Sequence, residues 1–158
     1  MMTHSDAVKA FWARYLNTLP EDHAHHSTDY TAWGFGDGPK MADELGALVV
    51  AGTKIATASL IWEYEHDNES LPQVGDLSVI LAGDERPVCI IETTELRTLP
   101  FNEVDAVFAA DEGEGDRSLA FWRDAHWHFF SRSCERIGRE PRETMPVLCE
   151  RFRVIFRT

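Results

Sequence analysis

The chain has 158 residues, 44 % hydrophobic and 27 % charged, which is apolar material for one packed core and too little length for two domains, so residues 1–158 read as a single domain. Its net charge of −12 argues against tight binding to duplex nucleic acid, DNA included. The N-terminus has no basic segment followed by an apolar one, and no apolar run approaches the roughly 18 residues of a membrane span, so a soluble cytoplasmic protein without membrane partners is expected.

Residues 6–19 are predicted as an amphipathic helix. Ser5 can cap its start, Val8, Phe11, Trp12, Tyr15, Leu16 and Leu19 recur at helical spacing, and Pro20 stops it. A polar connection over 21–29 follows, whose His23, His25 and His26 lack cysteine partners and read as solvated side chains rather than zinc ligands. The loop over 33–38 alternates aromatics with glycines. Pro39 and Gly52 bracket a second helix over 40–51.

From 56 to 66 the chain reads as a strand, then a turn over 71–76 delivers a short strand at 77–81. In the next strand, 87–96, alternation places Glu92 beside Val88 and Ile90, so Glu92 is expected to be buried. A short helix is predicted over 101–110. Asp116 is the expected cap of a long helix over 117–137, with Leu119, Trp122, His126, Phe129, Phe130 and Ser133 on its inner side. A final strand over 147–156 sets Glu150, a second carboxylate, among Leu148, Phe152 and Val154. Helices first, strands in the middle, a long helix and a closing strand indicate α+β, a mixed or antiparallel barrel flanked by helices.

Cys89, Cys134 and Cys149 are odd in number and lack C-x-x-C spacing, which points to neither a disulfide framework nor a cysteine zinc site. Charge is uneven: residues 1–116 carry 6 basic and 22 acidic side chains, whereas residues 117–158 carry 9 arginines against 5 acids. That segment can present a local phosphate-facing patch, or pair its arginines along a solvated helix. On the long helix Arg123, Trp127 and Ser131 recur four residues apart, a stripe offering a guanidinium, a ring and a hydroxyl, groups that suit a phosphate and a base or equally a packed helix flank. Trp33, Phe35 and Tyr64 are further stacking candidates. His126 shares its side with Trp122 and Phe130, as a core histidine does.

Lys54 stands out. It follows the apolar run 45–51, precedes Leu60-Ile61-Trp62, and is the last lysine of the chain. An ammonium in such a setting is paired with a carboxylate, used in proton transfer, or snorkels to water. Lys54 and Thr57 fall on one side only if Gly52 opens a turn into the strand. With Glu92 they would then supply an anion stabiliser or base, a hydroxyl nucleophile, and an acid or counter-ion. The acidic segment Glu112, Glu114, Asp116 lacks the ligand spacing of a calcium loop, and nothing in the sequence asks for a metal or an organic cofactor.

Gly52-Thr53-Lys54-Ile55-Ala56-Thr57-Ala58-Ser59 resembles the G-x-K-x-x-T-x-S signature of the ASCH family, the activating signal cointegrator homology domains of the PUA-like superfold. The similarity continues through Leu71 to Asp76, Ile91 to Thr94, Phe101 to Val104, Glu112 to Asp116, Trp122, Arg123, His126, Phe129 and Phe130, and Pro146 to Phe152. The chain is similar to the longer bacterial form of the family. The resemblance implies a PUA-like barrel with a cleft beside the signature turn and single-stranded RNA or a modified nucleoside as ligand. Activities associated with the family include RNA binding, ribonuclease activity and, in a shorter branch, deacetylation of N4-acetylcytidine by a Lys, Thr and Glu that Lys54, Thr57 and Glu92 match in type and order. A metal-independent hydrolase, a ribonuclease foremost, is therefore expected around Lys54, with Trp33, Tyr64, Arg123, His126 and Ser131 as substrate-binding candidates. An amidohydrolase and a noncatalytic RNA-binding module are the alternatives.

Overall fold

A computed structural model describes residues 3–158. Among them the elements are α1 (Asp6–Leu16), β1 (Thr31–Trp33), α2 (Pro39–Val50), β2 (Ala56–Leu60), α3 (Ile61–His66), β3 (Leu77–Leu81), β4 (Pro87–Pro100), α4 (Ala106–Glu112), α5 (Leu119–Ile137) and β5 (Pro146–Arg157), with 3₁₀ turns at Ala24–Ser27 and Phe101–Glu103. The strands form one five-stranded mixed sheet in the order β1-β3-β4-β5-β2. β1 runs parallel to β3, while β3 with β4 and β2 with β5 are antiparallel. This is the α+β class read from the sequence. None of the described helices is long and apolar enough to cross a membrane.

The chain divides into two compact units, each with its own apolar core. The first holds residues up to Gly52, together with Gly75–Glu92 and Arg153–Thr158. Here the Ser5 hydroxyl accepts from Val8 N at 3.2 Å and starts α1, whose Val8, Phe11, Trp12 and Tyr15 pack on Leu77, Val79 and Ile90. α1 ends at Leu16, three residues sooner than its apolar spacing indicated, because Thr18 and Leu19 turn back onto the Tyr15 and Leu16 carbonyls. Leu19 still reaches the core through that turn. β1 falls in what read as a connection; three residues carry no period, and only the parallel pairing with β3 makes them a strand.

The second unit holds Thr53–Val74 and Thr93–Phe152. Its core gathers Ala56 and Leu60 from β2, Phe108 from α4, Trp122, Phe130 and Cys134 from α5, and Val147 and Cys149 from β5. The strand expected over 56–66 stops at Leu60, and Ile61–His66 is helical. The reason is tertiary. Arg136 on α5 grips Glu63 at 2.9 Å and Asp67 at 2.8 Å, two acids four residues apart that only a helix sets side by side, and the Arg139 guanidinium lies 4.3 Å from the Trp62 ring centre. Where one helix was expected over 101–110, a 3₁₀ turn and α4 occur. Asp105 caps α4 by accepting from Phe108 N, and the helix runs on to Glu112. The cap of α5 is Ser118 rather than Asp116: the Ser118 hydroxyl accepts from Phe121 N at 3.0 Å, while Asp116 accepts from Ser118 N. The three cysteines are unpaired thiols in buried positions, and burial pushes Cys89 and Cys149 up to about 12, out of reach of thiolate chemistry.

Candidate functional site

Lys54 lies in a short segment strung between α4 and β5: Ile55 N donates to Asp111 O at 2.9 Å, and Phe152 N donates to Ile55 O at 3.1 Å. α4 ends on Gly113 at φ 73°, where a β-carbon would sit 2.4 Å from Thr53 O, so the helix end approaches the lysine's own backbone as only glycine permits. That approach brings the two residues flanking Gly113 onto the ammonium. Lys54 is 1 % exposed, and its Nζ donates to Ala56 O at 2.8 Å, Glu112 Oε1 at 3.0 Å and Glu114 Oε2 at 2.9 Å. Burial opposes the charge, but Glu112 and then Glu114 outweigh it, and the lysine is held protonated above its ordinary range.

Glu112 is itself buried and is the hub of the cluster. Its Oε2 accepts from Trp122 Nε1 and faces His126 Nε2 at 3.1 Å. The other imidazole nitrogen, Nδ1, donates to Trp122 O at 3.0 Å, and the imidazole stacks on the Trp122 ring 4.3 Å away. Burial works against ionising Glu112, yet Lys54 and then His126 pull it well below the usual carboxylate range. Burial likewise opposes the imidazolium, and Glu112 followed by Glu114 overcomes it, so His126 is raised. Among the described residues, Glu112, Glu114 and His126 offer ligand atoms within 4.8 Å of one another, but the Lys54 ammonium already stands against both carboxylates and would repel a second cation.

A second polar group lies on the sheet. Thr57 on β2 is directly opposite Glu150 on β5, and Ser59 opposite Leu148, so these four side chains share one face. Glu150 is buried, and its Oε2 accepts from the Thr93 hydroxyl at 2.7 Å. Tyr64 OH and Ser59 Oγ are 3.0 Å apart; burial first, with Glu150 among the acids adding to it, raises the phenol. Ser59 and Tyr64 also border a pocket of about 200 Å³, with Leu60, Glu63, Asp67 and Glu69; Thr57, Thr93 and Glu150 do not line it.

The candidates read from the sequence are thus distributed. Thr57 and Tyr64 belong to this face, and His126 to the Lys54 cluster. Glu92 lies in the first unit, half-buried, and its Oε1 accepts from Arg153 Nη2 at 2.6 Å. Trp33, also in the first unit, packs edge-on to Phe35 with centroids 4.6 Å apart. Arg123 is exposed on α5, Ser131 is half-buried there, and Trp127 between them packs on Phe101 at 5.5 Å. Sequence reasoning did not give Lys54 the acids it has. The available signal was that Glu112 stands one helical turn after Phe108, which places it on the buried side of α4.

A sequence model of the ASCH domain matches residues 31–156, well over half of the chain. The chain belongs to the ASCH family. Two solved structures agree. A crystal structure of an ASCH domain from Lactobacillus crispatus JV V101 is 35 % identical, with 98 % of this chain and 97 % of that one covered and a TM-score of 0.91. A protein from Enterococcus faecalis V583 is 33 % identical over 94 % of this chain and 88 % of that one, with a TM-score of 0.82. Among curated proteins none matches. With the ASCH assignment the PUA-like architecture follows, and with it a family generally associated with RNA binding. In this ASCH domain the lysine of the signature bonds the two carboxylates at the end of α4, while the signature's threonine and serine lie on the face that carries Glu150.

Proposed function

We propose that this ASCH domain binds single-stranded RNA or a modified nucleoside on the face formed by Thr57, Ser59, Tyr64, Thr93 and Glu150. The observation that carries the reading is the register of Thr57 against Glu150, a hydroxyl beside a buried carboxylate already braced by Thr93. A fixed carboxylate accepts from an exocyclic amine or a ribose hydroxyl, the neighbouring hydroxyls give and take hydrogen bonds, and the Tyr64 ring supplies a flat surface. The exposed Arg123 offers a phosphate contact on a chain whose net charge of −12 disfavours duplexes.

Metal-independent hydrolysis at the same face is the second reading, favoured by the same hydroxyl and carboxylate pair. Thr57 would attack an acyl carbon with Glu150 taking its proton and passing it to the departing amine, water then releasing the acyl group from Thr57; or Glu150 would deprotonate a ribose 2′-hydroxyl, which attacks the adjacent phosphate as the 5′-oxygen leaves with a proton. In this reading Lys54, bonded to Glu112 and Glu114, positions the turn into β2, and Glu150 takes the proton in its place.

Fluorescence anisotropy with labelled RNA tests the binding. Single strands are expected to bind more tightly than the same sequence as a duplex, more weakly as salt rises, and to lose affinity in Glu150→Gln and Tyr64→Ala. Binding that is absent, or indifferent to both substitutions, removes the reading. Turnover is followed on RNA and on N4-acetylcytidine: loss of deacetylation in Thr57→Ala marks an amidohydrolase, RNA cleavage surviving Thr57→Ala marks a ribonuclease, and turnover of neither leaves a binding module. Glu92→Gln in the same assays reports whether that carboxylate takes part.

A further inference from the structure

The first unit holds a groove of about 910 Å³ that the RNA reading does not use. α1 and α2 flank it, the β3–β4 turn closes one end, and the last residues of β5 reach its rim. No residue of the Gly52 to Ser59 signature lines it. Its floor is made of Ala10, Gly46, Ala47 and Val50, side chains that offer no hydrogen bond. Phe11, the aromatic lining residue, is buried and has the Arg14 guanidinium 5.8 Å from its ring centre, so it offers no open ring on which a nucleobase could stack.

Three guanidiniums stand around that apolar floor: Arg14, Arg86 and Arg157. Arg86 is paired with Asp84 at 3.7 Å, and Asp43, the other acid of the lining, accepts from Gly83 N at 2.8 Å. Arg14 and Arg157 have no carboxylate partner among the described residues; Arg157 spends one N–H on Val50 O at 2.8 Å, which fixes it beside the end of α2. On a chain of net charge −12, Arg14, Arg86 and Arg157 against Asp43 and Asp84 leave this lining with one positive charge in excess, and the two guanidiniums without a carboxylate partner are the ones an anion would meet.

We infer that the groove binds an amphipathic anion, an aliphatic chain lying along α1 and α2 with a carboxylate or phosphate monoester head between Arg14 and Arg157. The volume lies within the range of small-ligand sites, about 300–1,000 Å³. Specificity comes from the head group, and the chain length sets how much of the floor is covered.

The test is calorimetric titration of the full chain with decanoate, decyl phosphate, decyltrimethylammonium and butyrate, each below its micelle concentration, with the site mapped by NMR shifts. Decanoate or decyl phosphate is expected to bind at a single site over Ala10, Ala47 and Val50, with butyrate far weaker and the cation not binding. Arg14→Gln and Arg157→Gln are each expected to weaken binding by roughly tenfold or more, the loss of a charge-assisted contact. Both residues are exposed, as is Ala47, so Ala47→Trp fills the groove without disturbing a core and is expected to abolish binding while leaving the unfolding midpoint in place. Equal binding of the cationic and anionic amphiphiles, wild-type affinity in the double arginine variant, or shifts mapping elsewhere would overturn the inference. So would the absence of binding by both anions, including the case in which only an acidic amphipathic peptide is captured, which would make the groove a protein interface.

Discussion

Lys54 shows how much one buried charge asks of its surroundings. The ammonium is 1 % exposed and tolerable only because a main-chain carbonyl and two carboxylates meet its three N–H bonds. Removing it leaves Glu112 buried with its main counter-charge gone. Lys54→Met is therefore expected to cost about 3–5 kcal/mol of stability, the range for breaking one half of a buried pair. Urea unfolding measures this, and a loss below about 1 kcal/mol, the scale of a surface ion pair, would contradict the structural role. Chemistry at Thr57 is then affected through the fold, so substitutions at Glu150, and not at Lys54, are the ones that report on ligand binding directly.

At the scale of elements, the cluster depends on the end of α4. Gly113 adopts φ 73°, and an added β-carbon would come within 2.4 Å of Thr53 O, a backbone atom that cannot swing away. Gly113→Ala combines left-handed strain with that collision, and an expected loss of about 2 kcal/mol or more follows. Gly138, which caps α5 at the same φ and would leave a new β-carbon with nothing within 4 Å, is the natural control: Gly138→Ala carries the strain alone and is expected to cost about 1 kcal/mol. Chemical denaturation of the two variants separates collision from strain, and equal losses would show that the approach to Thr53 is not tight. α3 illustrates the same dependence from the other side. Ile61, Trp62 and Tyr64 favour a strand by type, yet the segment is helical, with Arg136 of α5 and Arg139 just beyond it meeting its acids and its tryptophan.

For the whole molecule, the cluster contributes to how stability varies with pH at both ends of the range. His126 is raised by Glu112 against the effect of burial, so its contribution is fully present below the ordinary histidine value of about 6.5 and is lost as pH climbs through the higher folded value. Glu112 is depressed chiefly by Lys54 against burial, so its contribution is present above the ordinary glutamate value of about 4.3 and is lost as pH falls toward its folded value. Thermal unfolding across pH is expected to show a plateau between these limbs. His126→Gln is expected to remove the alkaline limb and keep the acid one; an unchanged alkaline limb would place its origin elsewhere.

The apolar spacing of Val8, Phe11, Trp12 and Tyr15, the alternation around Ile90 and Glu150, and the Gly52 to Ser59 signature were enough to determine an α+β chain of the ASCH family, since period and local chemistry belong to single segments. Which acid meets which cation was beyond them. Lys54 finds Glu112 and Glu114 some sixty positions along the chain, because a glycine lets α4 end against Thr53. Thr57 finds Glu150 by strand register, and within the first unit Glu92 finds Arg153. Pairings at such separations are set when the sheet forms and the helices pack, and no periodicity within a segment encodes them.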